Sequence, residues 1–135
     1  MANNNLNLRL NSTAEFVVPI IDVPTGLTIV SAIMVVKNSL DDPDSASLIT
    51  KNITTTQSAS GIIYNLTTGT GQPPTGSLGT AELHFDFTNT DATGANLLTT
   101  TFYLWAVKIT FSNGANIVPP TACGRVSVLS AGITS

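Results

Sequence analysis

Few residues in this chain carry the chemistry that catalysis or metal binding needs. There is one histidine, His84, and one cysteine, Cys123. Structural zinc takes about four nitrogen or sulfur ligands, so these two side chains alone predict no zinc site. A Ser/His/Asp nucleophile would have to use His84 as its base. No Gly-x-Ser-x-Gly elbow is present, and Ser and Asp are so frequent that their presence signals nothing. His84 reads instead as a polar-face residue of an alternating strand. Asp41, Asp42 and Asp44 form the one acidic cluster. Calcium takes several loop oxygens, but Pro43 interrupts this run and no bidentate Glu follows at EF-hand spacing. A solvated turn is expected there, with a weak cation site as the alternative. Glu82 and Asp86 share one face of a strand. Paired carboxylates can cleave glycosides, yet the sequence gives neither one a cleft or an apolar pocket. Gly69-Thr-Gly71 lacks the Gly-Lys-Ser/Thr of a phosphate loop. Cys123 cannot form an internal disulfide and is expected to be a buried small hydrophobe, the alternatives being a free thiol or an intermolecular bridge. No catalytic, cofactor-binding or metal-binding residue is expected, and the chain reads as non-enzymatic.

The surface that surrounds these residues is unusually neutral. Of 135 residues, 42% are hydrophobic and only 10% charged, against about 25% charged in average domains. Asn, Thr, Ser and Gly replace the missing charges. Such a surface is a poor colloid by itself, so much of it is expected to be covered by neighbours in an assembly. The formal net charge is -3. The five Lys and Arg residues, spread from Arg9 to Arg125, make no basic stripe, and nucleic-acid binding is not expected. Met1 to Arg9 is polar and does not predict a Sec-type leader. No run of about 18 apolar residues predicts a membrane-spanning helix. Three Asn-x-Ser/Thr triplets, at Asn11, Asn52 and Asn65, read as products of an Asn/Thr-rich composition.

The elements that must hold these residues are strands. Helical periodicity is almost absent, and alternation with period two recurs. Leu6 to Leu10 and Glu15 to Ile21 are extended pieces, the second with Pro19 marking an edge or a bulge. Leu27 to Lys37 is apolar on both faces in its middle, as a strand covered on both sides would be. Ser47 to Thr55 offers Leu48, Ile49 and Ile53 to a core, and Gly61 to Leu66 follows a turn. Thr67 to Gly79, with four glycines and two prolines, reads as a long loop. Ala81 to Phe87 puts Leu83, Phe85 and Phe87 on one face and Glu82, His84 and Asp86 on the other. Thr88 to Leu98 is a turn region with room for a helical turn. Thr101 to Phe111 aligns Tyr103, Trp105, Val107, Ile109 and Phe111. Ser112-Asn-Gly114 is a hairpin signal, Ala115 to Val118 pairs back, and Gly124 to Leu129 is a last strand. Seven to nine short strands with turn signals about every 8–12 residues predict an all-β, antiparallel β-sandwich. Residues 1–13 read as an N-terminal arm or first strand and 14–135 as one sandwich domain. Tyr103 stands where a tyrosine corner would form.

The succession Leu83-His-Phe-Asp-Phe87, Phe102-Tyr-Leu-Trp-Ala-Val-Lys-Ile109, Ser112-Asn-Gly114 and Gly124-Arg-Val-Ser-Val128 resembles the immunoglobulin-like domains of tailed-bacteriophage structural proteins. It is similar in particular to the N-terminal module of upper-baseplate proteins. The likeness spans roughly Leu27 to Thr134. It departs from the family at Trp105 and Ala106, in the long loop, and in a Pro-Pro-Thr-Ala-Cys insertion before the last strand. The resemblance implies an immunoglobulin-like fold and a non-enzymatic virion protein, assembled in the host cytoplasm. Its expected role is capsid decoration or cement, or a tail, neck or baseplate component. The expected partners are other virion proteins (major capsid or tail and baseplate subunits) and further copies of the chain. The Met1 to Thr13 arm is the expected docking element. The alternative is a carbohydrate-binding or adhesin-like sandwich, for which Tyr64 is the residue to mutate.

Overall fold

A strand with alternating apolar residues is stable only when its apolar face is buried, and two such layers here close on one another. The computed structural model describes residues 5–10, 12–24, 26–39, 41–66, 79–119 and 122–130, with only the backbone of Asp22 and Asp44. The loop expected at Thr67 to Gly79, including Gly69-Thr-Gly71, therefore lies outside the described residues except for Gly79. The strands are β1 (Leu6–Arg9), β2 (Ala14–Val23), β3 (Ile29–Lys37), β4 (Ile49–Thr54), β5 (Gly61–Leu66), β6 (Gly79–Phe87), β7 (Phe102–Phe111), β8 (Asn116–Ile117) and β9 (Cys123–Leu129). A single helical turn, α1 (Asp91–Gly94), joins β6 to β7.

One sheet runs β1-β9-β7-β3-β4, with β8 also paired to β7; the other runs β2-β6-β5. All pairings are antiparallel except β1 with β9, which is parallel. This departs from the purely antiparallel expectation, and it arises because β1 and β9 enter the sheet from the same end. The strand order is that of an immunoglobulin-like β-sandwich: β2, β6 and β5 form one layer, while β3, β7 and β9 form the other. The added β4 lies where variable-type domains extend that second layer.

Between the layers lie Leu83, Phe85 and Phe87 of β6, and Tyr103, Trp105, Val107, Ile109 and Phe111 of β7, all buried as their alternation predicts. Each large side chain so buried contributes about 1.5–3 kcal/mol. Trp105 meets the ring of Phe16 edge-on, with centroids 5.0 Å apart and planes at 80°. Trp105 follows Tyr103 by two positions, where antibody domains place the second cysteine of their inter-sheet disulfide. An aromatic pair from β2 and β7 thus takes the place of that bridge. The tyrosine corner is present as well, since the Leu98 amide donates to Tyr103 Oη at 2.8 Å.

Two expectations change. Of the two readings of residues 1–13, residues 6–9 take that of a first strand and not that of an arm, because Leu6 and Leu8 are buried in the core and β1 completes the sheet beyond β9. The docking element expected at Met1 to Thr13 is thus occupied, over these residues, by the chain's own sheet. β3 is also not covered on both sides. Ala32, Met34 and Val36 point inward and are buried, while Ile33 and Val35 point outward and are half-buried. It is central within its sheet, between β4 and β7, rather than between two layers.

Candidate functional site: the outer faces of the two sheets

On the three-stranded sheet, the register sets the outward residues in rows. Glu15 lies beside Asp86; Val17, His84 and Ile62 form the next row; Pro19, Glu82 and Tyr64 form the one after. His84 sits at the centre. Its Nε2 is 2.9 Å from Glu82 Oε1 and its Nδ1 is 3.4 Å from Glu15 Oε2. The Tyr64 ring stands edge-on at 4.8 Å. Burial opposes the charged imidazolium, but hydrogen bonds and charge from Glu82 and Glu15 outweigh it and hold the His84 pKa above its ordinary value. Around this polar centre the face is apolar and open: Val17 and Leu66 are exposed, Tyr64 is 46% exposed and Ile21 68%. Gln57 Nε2 donates to Asp86 at 3.4 Å. A shallow open depression beside this face is lined by Thr13, Glu15, Asp86 and Thr88.

β5 can begin close to β6 only because residue 61 is glycine. Its φ is +133°, and a Cβ there would stand 1.8 Å from the His84 carbonyl oxygen.

On the six-stranded sheet the outward residues differ in charge. Ile33 pairs with Lys108, Val35 with Ala106, Lys37 with Leu104, and Leu104 with Arg125. Phe102, 63% exposed, lies under the Arg125 guanidinium at 4.7 Å. Arg9 is at the β1 edge of the same face, where its guanidinium donates to the Ser130 carbonyl at 2.8 Å. Lys108 is exposed, and among the described residues neither it nor Arg125 makes an ion pair.

The remaining candidates fall apart as sites. Asp41 is exposed, and the Asp42 carboxylate is engaged by the Ser39 amide at 3.2 Å. The Asp42 carbonyl accepts from Lys37 Nζ at 2.8 Å; the Asp44 side chain lies outside the described residues. Among the described residues no three His, Cys, Asp or Glu side chains are grouped as metal ligands. Glu82 is turned to His84 rather than towards Asp86. Cys123 is half-buried and not buried, because it occupies an outward position of β9 opposite Ala106. Among the described residues no helix is long and apolar enough to cross a membrane.

One charged residue of structural weight was not anticipated. Lys51 points into the sandwich, 5.4 Å from the Phe87 ring centroid, and pairs with Asp91 at 2.8 Å. The signal was its place between Ile49 and Ile53 on the inward face of an alternating strand.

No family model matches the chain, and no curated protein matches it. Among solved structures, murine CRIg is similar over 95% of this chain and 92% of its own, at 10% identity and a TM-score of 0.35.

Proposed function

We propose that this domain is a non-enzymatic structural component of a bacteriophage particle, held in place by protein–protein contacts as a capsid-decorating, tail, neck or baseplate subunit. The observation that carries this reading is the apolar exposure on both sheets. Val17, Ile21, Tyr64 and Leu66 stand out on one, and Val30, Phe102 and Leu129 on the other. On a chain with so few charges, apolar side chains set on exposed sheet faces suit burial against neighbouring subunits. The resemblance of the β6–β9 region to tailed-phage structural domains supplies the kind of particle. The test is mass spectrometry and antibody labelling of density-purified particles from the phage that encodes the chain. The chain is expected in the particle at fixed stoichiometry; its absence from intact particles overturns the proposal.

A carbohydrate-binding reading has one observation in its favour, the exposed Tyr64 ring beside the polar Glu82 and His84. Binding on a glycan array that disappears in Tyr64→Ala would support it.

A further inference from the structure

We propose that copies of this chain stack head to tail, the outer face of the three-stranded sheet of one copy seated on the outer face of the six-stranded sheet of the next. The inference rests on the reading of the domain as a building block, and it names the partner as a second copy. Its basis is the way the fold sorts charge. Among the described strand residues, the outward carboxylates Glu15, Glu82 and Asp86 all belong to the β2-β6-β5 face, while the exposed Asp41 lies in the β3–β4 loop. The outward cations Arg9, Lys108 and Arg125 all belong to the opposite face. The fifth cation of the chain, Lys51, is inside and committed to Asp91, and Lys37 is tied down to the loop by the Asp42 carbonyl.

Each charged set is framed by apolar surface that the domain leaves exposed or half-buried. Val17, Pro19, Ile62 and Tyr64 surround the carboxylates, and Ile33, Val35, Leu104 and Phe102 lie among the cations. Apolar contact supplies the adhesion and the charges choose the orientation. A symmetric contact of either face with itself would oppose like charges across the contact, which disfavours it. Opposite faces of one sandwich point in opposite directions, so a contact between unlike faces is heterologous. It leaves one acidic and one basic face open at the ends of every stack, and the assembly extends beyond a dimer into a ring or a filament.

Sedimentation velocity of the full chain over a range of protein and salt concentrations tests this. Species larger than dimers are expected, diminishing as salt screens the charges. Two reversal variants, E15K/E82K and K108E/R125E, each associate at least about tenfold more weakly alone. Mixed in equal amounts they recover association, because every charged face then meets its opposite. The neutral pair E15Q/E82Q and K108Q/R125Q repeats the weakening should a reversal fail to fold, which circular dichroism reports. A wild-type chain that is monomeric throughout, that stops at a closed dimer, or whose variants associate undiminished overturns the inference. A chain that is monomeric in solution yet present in particles sinks only the stacking. A chain that stacks but is absent from particles sinks only the assignment to a virion.

Discussion

Lys51 illustrates what a single inward-facing charge demands of its surroundings. Its ammonium lies over the Phe87 ring, 5.4 Å from the centroid, and reaches Asp91 at 2.8 Å. Asp91 has a second task, accepting the Thr88 amide at 2.7 Å at the start of the β6–β7 corner. Removing the carboxylate strands a buried ammonium and an amide together, so Asp91→Ala is expected to destabilise the domain by about 2–4 kcal/mol. Lys51→Met removes the buried ammonium while keeping a side chain of similar length, and leaves Asp91 with Thr88 and partial access to water; it is expected to cost less than about 1.5 kcal/mol. Urea denaturation of the two variants checks the order, and equal losses would refute it. At this scale the sequence was only partly legible. Tyr103 could be placed at a corner because its position relative to the β7 alternation is local. The Lys51–Asp91 pair could not, because a side chain's partner on another strand depends on how the sheets close.

Among the strands, β6 was the most transparent, since strict alternation sorts Leu83, Phe85 and Phe87 from Glu82, His84 and Asp86 without reference to any neighbour. Glu82 as a partner of His84 follows from that alternation. Glu15 does not, because it arrives from β2 through a register that the sequence leaves open. The resulting trio links protonation to folding. Glu82 and Glu15 hold the His84 pKa above its ordinary value in the folded domain, so the native state retains this proton where the unfolded chain, near pH 6.5, releases it. The associated stability is fully present below the unfolded value and is lost as pH rises through the folded one. The urea midpoint is expected to fall over that window and to stay flat there in His84→Gln. A wild-type midpoint that does not change across the window would exclude the linkage. The double-sided apolarity of β3 misled for a related reason: alternation reports which residues are apolar, not which face will be covered.

For the molecule as a whole, the sandwich was legible because nearly every strand announces itself by local alternation and turns. Its closure was not. Whether residues 6–9 hang free or finish a sheet depends on contact with β9 at the far end of the chain, and no local pattern encodes that distance. Deleting residues 1–10 removes the buried Leu6 and Leu8 and bares the β9 edge from Val126 to Leu129. The loss is expected to be about 3–6 kcal/mol at about 1.5–3 per side chain, a large part of a stability that is usually about 5–15 kcal/mol. Urea melts and light scattering should show a weakened, aggregating domain, whereas an unaltered melt would return residues 6–9 to the status of a free arm. The Phe16–Trp105 contact carries its own consequence. The rings pack across the layers where antibody domains carry a covalent link, and a single cysteine in the sequence allows no internal disulfide. Glutathione or dithiothreitol therefore has no internal bond to cut. The domain can mature without an oxidase, and it keeps the same interior inside a reducing cell and in the oxidising medium outside it.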